Sequence, residues 1–517
     1  MTRIAHESDN LKETPVTADD SVDDEDMYDS VSIDPSYRAK AKLVNKAIQD
    51  LGMGKYQWWL FVVSGFGWFS DSVWPLATGL ILPAVINEFK FRGPFLSLAA
   101  NIGLLVGAAF WGLGCDLWGR RWSFNLTILI AGVFALAAGG STNFISLSSL
   151  VAVLGIGVGG NLPVDSAVFL EFVPASHQYL LTVLSIWWAI GQLLGSLIAW
   201  PLMVNFSCPQ PSTSCKSSEN RGWRYLMFAL GGLMLFLWAV RFFVFRMYES
   251  PKYLIVHGKD SEAVAVLRKV AHYNGRSCSL TSDELALAGI VHGDSDGSHN
   301  KPGQSAVRTA RTWWAHVTAL FCSRKMAWST IILIVIWGLI GLASTLYNNF
   351  LPFLLASRGT QFGDGSVNIT YRNQVILSLT GVPGALLAGW AVDLPVLGRR
   401  KTLAIACVIT AIFLFATTTA RTSNALLGWN CGYSFFSNIM YGVLYAASPE
   451  MFPAKDRGTG NGLVSISTRI FGVLAPVIAL YANLETVVPV YISGGLIIAA
   501  GLLALALPFE PRGTASL

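Results

Sequence analysis

Apolar stretches of about 20 residues recur along the chain from Trp58 onward and alternate with short polar segments. A helix of about 20 residues is long enough to cross the ~30 Å hydrocarbon core of a bilayer. The pattern therefore predicts twelve transmembrane helices, with a polar segment at 246–328 between the sixth and the seventh. The predicted spans are residues 58–86, 95–113, 122–141, 147–173, 179–204, 223–245, 329–355, 372–391, 402–421, 425–448, 461–482 and 487–508.

Composition supports a polytopic membrane protein. Only 13% of the 517 residues are charged and 53% are hydrophobic, whereas a soluble domain carries about 25% charged residues. These values exclude an ordinary soluble enzyme and a single-span receptor with a soluble ectodomain. The chain shows no nucleophile–base constellation and no metal-ligand spacing, and its basic residues lie in short clusters between spans. We therefore expect no enzymatic activity, no cofactor, no metal and no nucleic-acid partner.

The polar segments divide the chain further. The N-terminal segment is acidic and has little apolar surface to bury, so it is predicted to be disordered. It lacks an apolar stretch after a basic start and is not a signal peptide. The predicted divisions are a disordered acidic cytoplasmic tail at 1–55, a six-helix bundle at 56–245, a cytoplasmic linker loop at 246–328, a second six-helix bundle at 329–508 and a short cytoplasmic tail at 509–517.

Lysine and arginine mark one side of the predicted bundle. They follow the second, eighth and tenth spans and are frequent in the 246–328 loop. Because cytoplasmic loops are enriched in Lys and Arg, this side is predicted to be cytoplasmic, together with both termini. The basic residues next to the spans are Arg120, Arg121, Arg399, Arg400, Lys401, Lys455 and Arg457.

The opposite side carries features of an extracellular or lumenal surface. Asn205 and Asn368 begin glycosylation sequons in predicted outer loops, whereas the sequon at Asn125 lies inside a span and is expected to stay unmodified. Cys208 and Cys215 share an outer loop in which a disulfide can persist, and their pairing is left open. The two outer sequons favour the plasma membrane, although a vacuolar membrane would leave the same pattern.

The two groups of six spans repeat a common pattern. The second and eighth spans are each followed by Gly-x-x-x-Asp and then Gly-Arg-Arg, with Asp116 and Asp393 offset by 277 residues. The fourth and tenth spans end in Glu-x-x-Pro-Ala, with Glu171 and Glu450 offset by 279 residues. Offsets that agree at separate points indicate two related bundles in parallel orientation.

These elements resemble the loop signatures of the major facilitator superfamily. The segment Glu249-Ser-Pro-Lys-Tyr-Leu254 after the sixth span and the segment Pro449-Glu-Met-Phe-Pro453 at the end of the tenth are similar to two further motifs of that superfamily. The resemblance covers about residues 55–510. It implies an all-α fold of 12 transmembrane helices in two pseudo-symmetric six-helix bundles, with a small solute bound between the bundles near mid-membrane.

The branch within the superfamily is indicated by motifs inside the spans. Gly67-Trp-Phe-Ser-Asp71, Gly159-Gly-Asn-Leu-Pro-Val164 and Arg469-x-x-Gly472 look like the synaptic-vesicle-protein-related and organic-ion branch. The glutamine-rich element that sugar porters carry in the seventh span is missing here. In the resembled branch, the position of Arg469 is linked to the handling of organic anions.

Three ionisable residues inside the spans are candidates for substrate binding or coupling, because charges in a bilayer are costly and usually face a cavity or a partner. Asp71 lies near mid-membrane and would carry a proton, meet a cationic substrate or cap a helix break. Asp165 serves a proton or substrate site or a packing network, and Arg469 binds an anion or forms a permanent ion pair with Asp71 or Asp165. Further polar candidates in the spans are Asn161, Gln192, Tyr347, Asn348 and Asn349.

The motifs on the cytoplasmic side predict a gate. Acidic and basic residues of neighbouring spans pair there when that side is closed, and several exposed pairs of about 0.2–1 kcal/mol each shift a two-state equilibrium. A permanently bridged loop is the alternative. The motif at Arg457 lacks a partner in the first half, where Gln178 stands. The gate candidates are Asp116, Arg120, Arg121, Glu171, Glu249, Asp393, Arg399, Arg400, Glu450 and Arg457.

Together these features predict a secondary-active transporter of a small organic solute, with an organic ion or carboxylate favoured. It would work by alternating access as a proton-coupled symporter and a monomer. No phosphate-binding Gly-rich loop is present in the sequence to support ATP-driven transport. The alternatives are an efflux pump for drugs or secondary metabolites, a sugar porter, and a nutrient sensor that binds without translocating.

Overall fold

The computed structural model describes residues 35–177, 180–208, 217–292, 317–318, 320–352, 354–355, 358, 362, 366–392, 398–452, 457–481 and 487–508. In these ranges a long helix covers each of the twelve predicted spans. In the first half the helices are α1 (Pro35–Leu51), α2 (Lys55–Phe89), α3 (Pro94–Trp118), α4 (Arg120–Gly139), α5 (Phe144–Phe172), α6 (Leu180–Val183), α7 (Ile186–Phe206) and α8 (Gly222–Ala239). They continue with α9 (Pro251–Val256), α10 (Asp260–Tyr273), α11 (Ser282–His292), α12 (Arg324–Asn348), α13 (Val367–Val392), α14 (Gly398–Ala416), α15 (Ser423–Met451), α16 (Arg457–Tyr481) and α17 (Val488–Leu505).

Short helical turns extend this framework. A π-helical turn at Val240–Val244 continues α8, and 3₁₀ turns lie at Ala175–His177 and Thr417–Thr419. Among the described residues, ten helices are long and apolar enough to cross a membrane. We call the end of the bundle that carries α1 and α9–α11 the inner end, and the opposite end the outer end.

The two halves pack their helices in the same way. In the first half α3 packs on α5, α4 on α8 and α2 on α7, and in the second half α13 packs on α15, α14 on α17 and α12 on α16. The halves meet through two equivalent helix pairs, α3 with α16 and α7 with α13. The result is two pseudo-symmetric six-helix bundles, as the repeated sequence pattern predicts.

Hydrogen bonds join the two halves near the outer end. The Tyr371 hydroxyl donates to the Leu80 carbonyl at 2.6 Å, and the Asn349 amide donates to Ser97 Oγ at 2.9 Å. Two further pairs across the halves are Ser196 with Ser378 at 2.9 Å and Trp200 with Asn368 at 2.7 Å. An apolar cluster at the same level contains buried side chains from both halves, among them Leu346 and Ala475 of the second.

The prediction of a disordered tail is wrong for residues 35–51, which form α1. The physical reason is an apolar stripe at helical spacing, because Val44, Ala47, Ile48 and Leu51 are all buried. The helix packs on α10 and α11, and Lys40 Nζ lies 2.5 Å from Asp260 Oδ2. The acidic residues that suggested disorder lie before residue 35, outside the described residues.

Candidate functional site

An ion pair joins the two halves at the middle of the molecule. Asp71 lies near the midpoint of α2, and Arg469 lies twelve residues from either end of α16. Arg469 Nη2 donates a hydrogen bond to Asp71 Oδ1 at 2.5 Å. The exposed fraction is 15% for the Arg469 side chain and 3% for the Asp71 side chain. The sequence allows Arg469 to pair with either Asp71 or Asp165. The structure shows the pairing with Asp71.

Aromatic side chains from both halves surround this pair. Tyr445 stacks at an angle on Trp68 and on Trp337, with ring centroids 5.1 and 4.7 Å apart. Tyr441 lies 5.2 Å from Trp188, and both tyrosines lie within electrostatic range of Asp71 and Arg469. The sequence analysis does not identify these tyrosines, because aromatic residues in apolar spans are common and carry no distinctive spacing.

Two indole N–H groups near the pair lack a partner. Trp68 Nε1 and Trp188 Nε1 are buried and make no hydrogen bond to any described residue. Trp337 differs, because its Nε1 donates to Ser448 Oγ at 2.7 Å. Buried donors without acceptors are rare and costly in folded proteins. Trp68 and Trp188 thus each contribute a free buried donor next to the tyrosines that surround the ion pair.

A second ion pair lies inside the first half. Asp165 of α5 and Arg241 of the π-helical turn are fully buried, with Asp165 Oδ2 and Arg241 Nη2 2.6 Å apart. Arg241 Nη1 also donates to the Phe124 carbonyl at 2.6 Å, and the guanidinium stacks 3.2 Å above the Phe124 ring. Asp165 is predicted as a candidate from the sequence, whereas Arg241 is not. The available signal is an arginine in the last turn of the sixth apolar span.

A glycine on α2 makes room for this second pair. A Cβ at Gly67 would overlap Asp165 Oδ2 and would lie 3.3 Å from the Cβ of Asn161. Asn161 lies one turn before Asp165 on the same face of α5, as the spacing predicts. It is fully buried, and neither its Oδ1 nor its Nδ2 has a hydrogen-bond partner in the described residues.

The other polar candidates have separate positions. Gln192 is partly buried on α7. Within the second half, the Tyr347 hydroxyl donates to Asn430 Oδ1 at 2.6 Å, and Asn348 Oδ1 accepts from the Tyr433 hydroxyl at 3.2 Å. Asn349 bonds to Ser97 at the outer end. The structure therefore places Tyr347 and Asn348 in contacts within their own bundle and Asn349 in a contact between the halves.

Gate candidates of the first half meet at the inner end. Arg120 and Glu171 form an ion pair, and Glu249 accepts the backbone N–H of Arg120 at 2.9 Å and that of Arg121 at 3.4 Å. Lys252 joins this group through electrostatic interactions with Glu171 and Arg120. Burial, together with the nearby Arg120, lowers the pKa of Lys252 below its ordinary value, although Glu171 opposes the shift. The side chain of Asp116 lies outside the described residues.

Two gate candidates of the second half, Arg399 and Arg400, have described side chains. Arg399 is partly buried, and Arg400 donates to the Leu505 carbonyl. Asp393 and the side chains of Glu450 and Arg457 lie outside the described residues. The repeat predicts a second cluster there, and that prediction stays open.

The predicted outer features lie at the outer end. Asn205 and Asn368 are exposed, and Asn125 is buried within α4. Cys208 is disulfide-bonded, and Cys215 lies outside the described residues. A further network, absent from the sequence analysis, ties α2 to α8 there through an ion pair of 2.7 Å between Glu88 and Arg224.

Comparisons with known proteins agree with this architecture. The model of the sugar (and other) transporter family matches residues 93–509. The MFS siderochrome iron transporter 1 of Ceriporiopsis subvermispora is 63% identical over 512 residues, which covers 99% of this chain and 97% of that protein. Among solved structures, the proton:xylose symporter XylE superposes with a TM-score of 0.65 at 17% identity, covering 89% of this chain and 98% of that one.

More distant relatives agree with the branch that the span motifs indicate. The synaptic vesicle 2-related protein of Bos taurus is 24% identical over 91% of this chain and 81% of its own length. The niacin transporter NiaP of Acinetobacter baylyi is 26% identical over 83% of this chain and 88% of its own length. The family resemblance of the sequence motifs is thereby confirmed. The chain belongs to the sugar (and other) transporter family of the major facilitator superfamily and is a multi-pass membrane transporter, not an enzyme.

Proposed function

We propose that this transporter carries a small organic anion, coupled to protons, and that Arg469 binds the carboxylate of the substrate. The observation that carries the proposal is the ion pair of Arg469 with Asp71, at 2.5 Å and between the two halves. Guanidinium binds carboxylates in a fork and stays charged at every physiological pH. A substrate carboxylate therefore takes the same position on Arg469 that Asp71 occupies in this conformation.

Competition for Arg469 explains how a proton drives transport. When Asp71 takes up a proton, it loses its charge, and Arg469 is released to bind the substrate carboxylate. When Asp71 gives up the proton, its carboxylate returns to Arg469 and displaces the substrate. An arginine left unpaired in a buried site is costly, so either Asp71 or the substrate occupies it. Proton binding and substrate binding are thereby linked at one residue.

The surroundings of Arg469 favour a planar, aromatic anion. The free indole N–H groups of Trp68 and Trp188 are donors for a second carboxylate oxygen, and Tyr441 and Tyr445 provide ring faces for stacking. NiaP, a relative at 26% identity, is a niacin transporter by name. Niacin is a small aromatic monocarboxylate, so nicotinate is the first probe for this site.

The contacts at the outer end support alternating access. In this conformation, hydrogen bonds such as Tyr371 to Leu80 and Asn349 to Ser97 hold the halves together on that side. Opening the outer side requires these bonds to break while the inner ends approach each other. The pair of Arg120 with Glu171 lies within the first half and is already formed in this conformation, so closure of the inner side requires further contacts between the halves.

A second candidate substrate is an iron(III)–siderophore chelate. The observation in its favour is the 63% identity, over almost the whole chain, with the MFS siderochrome iron transporter 1 of Ceriporiopsis subvermispora. Many siderophore chelates are larger than nicotinate, and they present a shielded metal rather than a free carboxylate. The two candidates therefore make different demands on Arg469.

A ligand-stabilisation screen separates the two candidates. A bound ligand raises the unfolding midpoint by mass action, whatever the direction of transport. The purified protein is heated with nicotinate, an iron(III)–siderophore chelate, an organic cation and xylose, and the hits are then tested by counterflow in liposomes. We expect stabilisation by nicotinate in wild type and none in Arg469→Gln. Stabilisation by the chelate alone, equal in both proteins, would contradict the proposal and support the second candidate.

The outer end bears on the cellular location. We infer N-linked sugars at the exposed Asn205 and Asn368 and none at the buried Asn125, a pattern that favours the plasma membrane and also fits a vacuolar membrane. Treatment with an N-glycosidase should raise the electrophoretic mobility of the native protein. The shift should disappear in the double variant Asn205→Gln/Asn368→Gln.

A further inference from the structure

Buried polar atoms without partners cluster beside the second ion pair. Asn161 lacks a partner at both Oδ1 and Nδ2, and Asp165 Oδ1 and Arg241 Nε also make no hydrogen bond to a described residue. All three side chains have an exposed fraction of zero. Leaving a buried polar group without a hydrogen bond costs about 1–3 kcal/mol. A cluster of such groups is therefore a site that holds water or a mobile proton.

The cluster lies next to the central ion pair. Gly67, which contacts both Asp165 and Asn161, is one helical turn from Asp71 on α2, and Asp165 interacts electrostatically with Asp71. Asn161 precedes Asp165 by one turn of α5 toward the outer end, in the direction of Asp71. A row of polar groups thus begins at the interface between the halves and ends inside the first half. Its members are Arg469, Asp71, Asn161, Asp165 and Arg241.

The charged groups that face Asp165 come from two elements. Arg241 contacts it from the π-helical turn after α8, and Asp71 interacts with it from α2. On α5 itself, Glu171 lies six residues further toward the inner end and pairs with Arg120 of α4. Glu171 is therefore the next carboxylate of α5 on the inner side of Asp165.

We propose that Asp165 is a second proton site, which receives the proton from Asp71 through water held at Asn161. Arg241 keeps its hydrogen bond to the Phe124 carbonyl and its contact with the Phe124 ring, and it holds the neutral Asp165 side chain in position through the carboxyl C=O oxygen. The inference rests on the proton coupling of the proposed function and assigns its next step. In the transfer, protonated Asp71 and ionised Asp165 become ionised Asp71 and protonated Asp165. The proton moves along a hydrogen-bonded water, so one O–H bond forms for each that breaks.

The proton transfer from Asp71 to Asp165 also affects the bound substrate. Once Asp71 is ionised again, its carboxylate competes for Arg469 and displaces the substrate carboxylate. Asp165 then holds the proton on the inner side of Asp71. Release of the substrate and movement of the proton toward the inner end are thereby coupled without a second substrate contact.

Transport assays in liposomes test the relay, with nicotinate as the probe. Two rates are measured for each variant: counterflow without a pH gradient, and accumulation driven by a pH gradient. We expect Asp165→Asn to lose the pH-driven accumulation while counterflow stays measurable. The double variant Asp165→Asn/Arg241→Gln leaves no unpaired buried arginine. It should also lose the pH-driven accumulation and keep measurable counterflow. Asn161→Leu should lower the ratio of accumulation to counterflow.

The control is the outer ion pair. Glu88→Gln also breaks a partly buried pair, with Arg224, but lies outside the row, so it should keep the wild-type ratio. The relay is overturned if Asp165→Asn still accumulates nicotinate in response to the pH gradient. It is also overturned if accumulation and counterflow fall in proportion in both the single and the double variant, because that result indicates a structural role for Asp165. Wild type that performs counterflow without pH-driven accumulation contradicts the proton coupling of the proposed function instead.

Infrared difference spectroscopy tests the proton site without a substrate. Spectra of the reconstituted protein at acidic and alkaline pH report protonated carboxyl groups in the C=O stretching region. We expect one band to be missing in Asp165→Asn and a different one in Asp71→Asn. Gly232→Ala, a control that removes no carboxyl group, should keep both bands. A spectrum of Asp165→Asn identical to that of wild type would overturn the proton site.

Discussion

At the scale of single residues, the position of Asp165 depends on the absence of a side chain at Gly67. Asp165 Oδ2 lies where a Cβ of residue 67 would be, and the same oxygen pairs with Arg241 Nη2 at 2.6 Å. The glycine therefore sets the distance between α2 and α5.

The first prediction concerns Gly67→Ala. The added methyl group displaces the Asp165 carboxylate from Arg241, so we expect a loss of about 1–3 kcal/mol in the free energy of unfolding, as for other overpacked cores. Thermal unfolding in detergent, followed by tryptophan fluorescence, measures the effect. Gly232→Ala is the matched control, because a Cβ at Gly232 meets nothing within 4 Å. Equal melting temperatures for the two variants would contradict the tight packing at Gly67.

The second prediction uses the lowered pKa of Lys252. Between this lowered pKa and the ordinary value of 10.5, the unfolded chain keeps a proton that the folded chain has released, so stability rises with pH. We expect the melting temperature of wild type to rise relative to that of Lys252→Met as the pH approaches 10.5. Lys259→Met, at an exposed lysine, corrects for the loss of one positive charge. Parallel curves for wild type and Lys252→Met would count against the buried position of this lysine.

The charged residues of the site are only partly predictable from sequence. Asp71, Asp165 and Arg469 stand out because charges in apolar spans are rare. Their pairing does not follow from the sequence, since Arg469 has two carboxylates within a plausible distance. Arg241 escapes notice because an arginine close to a span end is usually an interfacial anchor, and only the π-helical turn and the position of α5 show that it is buried.

At the scale of helices, the inner end of α4 is held by a residue from another element. Gly119 precedes α4 with a φ of +97°, a conformation that favours glycine. Glu249, which follows the sixth span, accepts the first backbone N–H groups of α4. A carboxylate at a helix N-terminus satisfies free donors and interacts favourably with the helix dipole.

The third prediction follows from this cap. Glu249→Ala removes the acceptor for the N–H groups of Arg120 and Arg121, so we expect a loss of about 1 kcal/mol in the free energy of unfolding. Melting temperatures of the purified proteins measure it. Glu262→Ala serves as the control, because Glu262 forms an exposed pair of 3.2 Å with Lys259 within one helix. A cap without energetic value would give the two variants the same melting temperature.

Helices differ in how well the sequence predicts them. The twelve long helices follow from apolar runs, because hydropathy is the main signal for segments that enter a bilayer. Ten of the described helices are long and apolar enough to span it. Helix α1 does not follow, since its apolar stripe is short and lies beside an acidic segment. Its stability comes from contacts with α10 and α11, such as Lys40 with Asp260, which are distant in sequence.

At the scale of the whole molecule, the two halves are joined at the outer end and share an ion pair at the centre. The outer hydrogen bonds include one between two buried hydroxyl groups, Ser196 and Ser378, at 2.9 Å. These residues lie on α7 and α13, one of the two symmetric helix pairs between the halves. Movement of the halves must separate this pair if the outer side opens.

The fourth prediction is a reversible lock at this contact. In the double variant Ser196→Cys/Ser378→Cys, the side chains are close enough for a disulfide once the backbone adjusts slightly. We expect oxidation to stop counterflow and reduction to restore it, because the outer side can no longer open. The single variants control for other effects of the oxidant. Full counterflow in the cross-linked protein would contradict alternating access at this interface.

In the proposed mechanism, Asp71 and the substrate compete for Arg469, and protonation of Asp71 determines which of the two is bound. The most direct measurement is uptake by Asp71→Asn in liposomes, with and without a pH gradient, beside wild type. We expect Asp71→Asn to perform counterflow exchange without accumulating substrate in response to the gradient. Undiminished pH-driven accumulation by Asp71→Asn would contradict this mechanism.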